Sequence, residues 1–205
     1  MLPVITIARQ YGSDGRDVGE MLAKRLGIPY YDKALIAMAA KQSGLSEEVF
    51  ADADEKATSS LLYSMVMGSY AFGARIPGVN EMPINDKLFI IQSDIIKKAA
   101  AEGPCVVVGR CADYILREHD NCLNVFIHAE KGYRVRRAVE LGDCDQKKAP
   151  DFVTKKDKQR ANYYNFYSNK RWDDLQNYDM VLDTSRFAID QCVDLLEMAA
   201  KQLDK

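Results

Sequence analysis

The chain has 205 residues, which is enough for one full domain with a small lid or insert. Hydrophobic residues make up 47% and charged residues 28%, as is usual for soluble globular proteins. The formal net charge of −2 does not favour a nucleic-acid partner or a polybasic membrane contact. No window holds the roughly 18 consecutive apolar residues of a membrane span, and MLPVITIARQ lacks the features of a signal peptide.

Five cysteines, an odd number with no C-x-x-C pair, predict reduced thiols in a cytoplasmic protein. Two histidines without clustered cysteines argue against a zinc site, so we expect no resident metal ligated by the chain.

The N-terminal part predicts two strands and two helices. VITIA (residues 4–8) is apolar and β-branched, which favours a buried parallel strand. Apolar residues at helical spacing predict a helix over Arg16 to Leu26, which Gly27 ends. IPYYD then predicts a second strand ending at Asp32, and residues 33–41 are expected to be helical.

Residues 45–84 predict one or two helices and a Gly- and Pro-rich loop, interpreted as an insert on the acceptor side. Its Met-rich stretch LLYSMVMGSYAF has three interpretations: a homodimer face, a substrate cover, or a plain core helix. The spacing of Leu88, Ile91, Ile95 and Ile96 predicts a further helix over Asp86 to Ala101.

The C-terminal half continues the alternation of strands and helices. Strands are predicted at CVVVG, LNVFIHA and MVLDT, and helices at residues 110–118, 131–141 and 188–203. The charged, aromatic residues 143–179 are interpreted as a lid. Alternating strands and helices indicate one α/β domain, residues 1–205, with a parallel sheet covered on both faces. Ligands of such sheets bind at the carboxyl ends of strands, where residues 9–16, 109–110 and 183–185 fall.

ARQYGSDGRDVG (residues 8–19) has the form of a phosphate-binding loop without its lysine. A P-loop reads G-x-x-x-x-G-K-[ST], whereas here Gly15 precedes Arg16, and neither Asp17 nor Val18 carries a hydroxyl group. Backbone N–H groups of residues 12–15 could still enclose phosphates, and Arg16 offers a bidentate cation. The alternative is a simple strand-turn-helix, in which the carboxylate of Asp14 works against anion binding.

Several stretches, taken in order, resemble the cytidylate kinase-like proteins among the P-loop nucleoside monophosphate kinases. They are ITIARQYGSDGRDVG, LGIPYYDKALI, NDKLFIIQSDIIKKAA, GPCVVVGRCADYIL, KGYRVRRAVE, and KKDKQR before VLDTSRF. The resemblance implies a P-loop NTPase fold of the nucleoside monophosphate kinase type. This is a three-layer α/β fold with five parallel strands and a helical lid. It also implies ATP and Mg²⁺ as cofactors and phosphoryl transfer from ATP to CMP or dCMP.

The same resemblance assigns roles to residues. The catalytic residues are Arg16, Arg110 and Arg137. The ATP phosphates are assigned to Gly12, Ser13, Asp14, Gly15, Arg16, Asp17, Arg134 and Arg137. The acceptor is assigned to Asp32, Arg110, Asp157 and Arg160. With no hydroxyl group after Arg16, Mg²⁺ is expected to be held mainly through ATP and water, with Asp14 or Asp17 as further candidates.

Other interpretations of these residues remain open at this point. Arg110 could pair with Asp113, Asp157 could pair with Arg160, and the arginines of residues 134–137 could form a solvated face. The chain could also be a kinase for another small acceptor, because Lys33 stands where cytidylate kinases carry a serine or threonine. A third reading is a regulatory protein that binds a nucleotide without catalysis. A small-molecule partner, and no nucleic acid or membrane, is expected in each case.

Overall fold

The computed structural model describes residues 1–32 and 84–203. The chain divides into two compact units, residues 1–32 with 96–205, and residues 33–95. The first unit contains the sheet and the residues of the candidate site described below. The helix predicted over 33–41 and the Met-rich stretch lie outside the described residues, as does the insert predicted over 45–84 apart from its last residue.

Five short strands form one sheet within the first unit. They are β1 (Val4–Arg9), β2 (Tyr30–Tyr31), β3 (Val106–Val108), β4 (Cys122–His128) and β5 (Met180–Asp183). Their order is β2-β3-β1-β4-β5, and every neighbouring pair is parallel. The central strand β1 pairs Ile5 with Val106 on one side and with Leu123 on the other. The predicted parallel α/β architecture is confirmed.

The helices of the described residues alternate with these strands along the chain. They are α1 (Gly15–Leu26), α2 (Ile84–Glu102), α3 (Ala112–Ile115), α4 (Lys131–Glu140), α5 (Ala149–Ser168) and α6 (Ile189–Gln202), with a 3₁₀ turn at Leu175–Asn177. The helix predicted over residues 110–118 is only the one-turn α3, because residues 109–111 all have positive φ. Helix α5 occupies most of the predicted lid segment. None of the helices in the described ranges is long and apolar enough to cross a membrane.

The hydrophobic core fixes where α1 begins relative to the sheet. Ile5, Ile7 and Ile127 are completely or almost completely buried, and they belong to one cluster with Leu22 of α1 and Leu196 of α6. Gly27 ends α1 in the left-handed conformation and donates its N–H to the carbonyls at the end of the helix. Burial of the apolar side of α1 holds its N-terminus at the carboxyl end of β1.

Candidate functional site

The loop from β1 to α1 has the backbone shape of an anion-binding turn. Gly12 (φ 71°) and Asp14 (φ 53°) are left-handed, and α1 begins directly afterwards at Gly15. A Cβ at residue 12 would lie 2.6 Å from the carbonyl oxygen of Arg134, so this position requires glycine. The Asp14 side chain makes no capping hydrogen bond to the helix. The N–H groups of the first turn of α1 therefore lack a side-chain cap and can receive an anion.

Hydrogen bonds from the neighbouring strand ends hold this loop from behind. The Ser13 hydroxyl is buried and donates to the carbonyls of Gln10 (2.9 Å) and Ile127 (3.1 Å). The Thr184 hydroxyl donates to the carbonyl of Ser13 at 2.8 Å and to that of His128 at 3.1 Å. Thr184 thus links the end of β5 to the loop, a role that the sequence analysis missed.

Asp14 directs its carboxylate toward α4. The Tyr133 hydroxyl donates to Oδ2 of Asp14 at 2.6 Å, and Nε of Arg137 donates to Oδ1 at 2.6 Å. The hydrogen bond to Asp14, together with burial, raises the pKa of Tyr133 to about 12. Arg137 also donates to Asp17 at 3.1 Å. The negative charge within the loop is therefore paired, which removes the objection that Asp14 repels phosphate.

Arg134 joins α4, α5 and the loop. It is buried, donates to the carbonyls of Ala129 (3.0 Å) and Tyr11 (3.3 Å), and forms an ion pair with Asp157. Asp157 also accepts the backbone N–H of Tyr11 at 2.7 Å. The predicted alternative of a solvated arginine is wrong for Arg134, because this side chain is enclosed. Asp157, for which pairing with Arg160 was considered, forms its ion pair with Arg134.

A second group of arginines surrounds Asp32 at the carboxyl ends of β1 and β2. Nε of Arg16 lies 3.0 Å from one carboxylate oxygen of Asp32, and Nη2 of Arg9 lies 3.8 Å from the other. Arg160 of α5 donates to the backbone carbonyl of Arg9 at 3.0 Å, and its guanidinium lies 5.1 Å from the ring centre of Tyr11. Arg9 lies in the predicted functional segment 9–16, but the sequence analysis gave it no role of its own. The available signal was an arginine at the end of a buried strand.

The turn after β3 has three consecutive residues with positive φ: Gly109 (79°), Arg110 (60°) and Cys111 (55°). Non-glycine residues in this conformation carry strain of about 1–3 kcal/mol each, and such residues concentrate at functional sites. The turn sets the direction in which Arg110 leaves the sheet. Asp113, one turn later, accepts the Tyr164 hydroxyl at 2.6 Å and so connects α3 to α5.

Asp14 does not fit a magnesium ion held by the protein, and Asp17 is partly engaged. Both carboxylate oxygens of Asp14 already accept hydrogen bonds, and this side chain is only 4% exposed. Asp17 has one oxygen engaged by Arg137. Val18 is completely buried in the core and has no ligating atom.

The fold is that of the P-loop kinases, as predicted. An uncharacterized protein from Eubacterium ventriosum has a similar structure, with a TM-score of 0.70, 25% identity, and coverage of 97% of this chain and 98% of that one. Shikimate kinase from Bacteroides thetaiotaomicron has a TM-score of 0.56 at 14% identity, with coverage of 98% of this chain and 99% of that one. A gluconokinase from Sinorhizobium meliloti has a TM-score of 0.51 at 13% identity, with coverage of 98% of this chain and 95% of that one. At the two lower identities the likeness concerns the fold alone.

The model of the cytidylate kinase-like family matches residues 4–186. The chain belongs to this family, which confirms the resemblance found in the sequence. A search of curated proteins gives no match. Membership of a kinase-like family and a P-loop kinase fold support phosphoryl transfer as the general class of chemistry.

Proposed function

We propose that the protein transfers the γ-phosphoryl group of ATP to a small acceptor, with CMP or dCMP as the first choice. One observation carries the proposal. The uncapped N-terminus of α1, preceded by left-handed Gly12 and Asp14, lies beside arginines at the carboxyl ends of the strands. Phosphoryl transfer depends mainly on positioning and on neutralising phosphate charge, and this combination suits both tasks.

On the donor side, the backbone N–H groups of residues 12–16 hold the phosphates, and Arg16 adds a cation. Arg134 and Arg137 are the further donor-binding residues of the proposal. Both now bond to carboxylates of the chain, so contact with ATP requires an exchange of partners. Mg²⁺ comes bound mainly to ATP and water, since both oxygens of Asp14 and one oxygen of Asp17 are engaged by the chain.

On the acceptor side, Asp32, Arg110, Asp157 and Arg160 are the proposed contacts. Asp32 and Arg160 both lie beside the backbone or side chain of Arg9, at the same end of the sheet as the loop. Asp157 contacts the loop through the N–H of Tyr11, so the proposed acceptor residues are physically tied to the proposed donor site. A link of this kind suits a reaction that must place two substrates in line.

A second candidate function is nucleotide binding without catalysis. The observation that favours it is the engagement of two of the donor-side arginines, Arg134 and Arg137, by carboxylates of the chain. In that case the loop binds a nucleotide as a signal, and no exchange of arginine partners takes place.

The test is ADP formation by the purified protein with ATP and Mg²⁺, offered each nucleoside monophosphate in turn, then shikimate and gluconate. Selective turnover with CMP or dCMP supports the proposal. Turnover only with another acceptor supports the kinase activity but contradicts CMP or dCMP as its acceptor. A raised melting temperature with ATP but no turnover favours the binding protein. If the protein shows no turnover and no shift in melting temperature, both proposed functions are contradicted.

A further inference from the structure

Two arginines near the phosphate loop have neighbouring carboxylates that are already paired elsewhere. Arg9 lies next to Asp32, but Asp32 lies closer to Arg16, at 3.0 Å against 3.8 Å. Arg160 lies near Asp157, which forms its ion pair with Arg134. A partly buried cation normally requires a counter-charge of its own. These two guanidinium groups therefore share acids that other arginines hold more closely.

The guanidinium of Arg9 also retains its capacity to donate hydrogen bonds. Its separation of 3.8 Å from Asp32 is too long for a hydrogen bond. Within residues 1–32 and 84–203, no hydrogen bond from its five N–H groups is found. The Arg9 side chain is 20% exposed, so it is not fully enclosed.

The position of Arg9 is built into the fold. Its guanidinium lies directly over Gly109, where a Cβ would overlap it, and Gly109 has a φ of 79°. Its backbone carbonyl accepts the hydrogen bond from Arg160, which in turn lies over the ring of Tyr11. A fixed guanidinium binds an anion with little loss of side-chain entropy.

The electrostatics of Arg160 favour the binding of an anion beside it. Burial, together with the positive charge of Arg9, lowers the pKa of Arg160 to about 9. An anion placed between these two arginines and solvent would relieve this repulsion.

We infer that Arg9, supported by Arg160, binds an anionic group of the acceptor, a phosphate or a carboxylate, at a site separate from the phosphate loop. The identification of this ligand as the acceptor rests on the proposed function. The anion site itself rests on the contacts of Arg9 alone.

The test measures binding in the absence of turnover. Calorimetric titrations use inorganic phosphate, CMP, cytidine, gluconate and ATP, with the wild type, Arg9→Gln and the control Arg136→Gln, which removes an exposed arginine of α4. We expect Arg9→Gln to weaken CMP binding by about tenfold or more, as expected for lost charge-assisted hydrogen bonds. We expect ATP binding to stay within about twofold of the wild-type value. Cytidine should bind weakly to every variant.

The comparison of CMP and phosphate with gluconate distinguishes a phosphate ligand from a carboxylate ligand. Wild-type protein that binds none of the three anions overturns the inference, and so does an Arg9→Gln protein that binds them as the wild type does. If Arg9→Gln does not fold, Gly109→Ala decides instead, because its Cβ displaces the guanidinium. Gly27→Ala is its control, with the same left-handed φ and no atom within 4 Å of the new Cβ. If Gly109→Ala loses anion binding and Gly27→Ala keeps it, the site is supported. If Gly109→Ala binds the anions as the wild type does, the inference is overturned.

ADP formation is measured in parallel on the same proteins. If Arg9→Gln loses anion binding but the wild type shows no turnover, the anion site is supported and the proposed kinase activity is contradicted. Turnover that survives Arg9→Gln with unchanged KM for the acceptor keeps the kinase and overturns the anion site.

Discussion

Nε of Arg137 lies 2.6 Å from Oδ1 of Asp14, so the loop between β1 and α1 carries a carboxylate that is already neutralised by an arginine of α4. Asp14 itself stands at the N-terminus of α1, where negative charge is favourable even without a ligand. The pair therefore has two opposing effects on an incoming phosphate. It cancels the charge of Asp14, and it occupies an arginine that could bind the phosphate.

Replacing Asp14 by asparagine separates these effects. Asparagine tolerates the left-handed φ of 53° but carries no charge. We expect Asp14→Asn to strengthen ATP binding by about threefold to tenfold, because Arg137 is released and can bind the phosphates. The free energy of unfolding should fall by about 1 kcal/mol through loss of the charged hydrogen bonds. Calorimetric ATP titration and urea unfolding measure the two effects.

Glu140→Gln is the matched control, since Glu140 is an exposed and more distant partner of Arg137, at 3.6 Å. It should change neither quantity measurably. Unchanged or weaker ATP binding in Asp14→Asn would mean that Arg137 does not reach the phosphates.

Thr184→Val tests whether the strand end supports the loop. Valine has a similar shape but leaves the carbonyl of Ser13 without its hydrogen bond, in a buried position. We expect a loss of stability of about 1–2 kcal/mol and ATP binding weakened by about threefold or more. Urea unfolding measures the change in stability, and ATP titration measures the change in binding.

Thr154→Val is the control, because the hydroxyl of Thr154 also donates at 2.8 Å to a backbone carbonyl, but on the exposed surface of α5. It should shift stability by less than about 0.5 kcal/mol. A Thr184→Val protein that is destabilised yet binds ATP normally would limit Thr184 to a structural role.

Asp113 gives the protein a pH dependence of defined sign. Burial raises the pKa of Asp113, and the hydrogen bond from Tyr164 opposes this effect only in part. A carboxyl whose folded-state pKa is raised is more protonated in the folded than in the unfolded state. Its contribution to stability is therefore greatest at low pH and decreases as pH rises through the folded pKa.

Asp113→Asn removes this charge and keeps an acceptor for Tyr164. We expect the variant to be more stable than the wild type at pH 8, and the difference to shrink as pH falls toward the unfolded value of about 4. Urea unfolding between pH 4.5 and 8 provides the measurement. A wild type that is the more stable protein at pH 8 would contradict the expectation.

Asp183→Asn is a control of opposite sign. Burial favours protonation of Asp183, but the hydrogen bonds from the side chain and backbone of Ser185 outweigh it and lower its pKa. Stability from this group is present above the unfolded pKa and is lost as pH falls through the folded pKa. The variant should be less stable than the wild type at neutral pH.

The fold could be predicted from the sequence because strand and helix patterns were strong and alternated. VITI and VVV are runs of β-branched residues, and Leu22 and Leu196 repeat at helical spacing with their neighbours. The short helix α3 could not be predicted, since nothing in RCADYILRE shows that Arg110 and Cys111 adopt positive φ. That conformation is imposed by the packing around the turn and not by local preference.

Within the candidate site, position along the chain was predictable but pairing was not. The sequence predicted that the glycine loop and Asp32 follow strands, and in the structure they come directly after β1 and β2. The partners of Asp14 and Arg134 come from α4 and α5, far away in the sequence, and no local pattern relates them. The position of the Arg9 guanidinium over Gly109 likewise depends on the register of β1 and β3.

Arg16→Ala tests the residue that stands in the place of the P-loop lysine. Its side chain is 48% exposed and contacts Asp32, so removing it should change stability by less than about 1 kcal/mol. We expect ATP affinity or turnover to fall at least about tenfold, because a permanent cation beside the phosphates is lost. Arg16→Lys should recover part of that loss. Arg25→Ala, which removes an arginine at the other end of the same helix, should leave ATP binding and turnover unchanged. Wild-type behaviour of Arg16→Ala would exclude Arg16 from the site and leave the backbone of the loop as the donor-binding element.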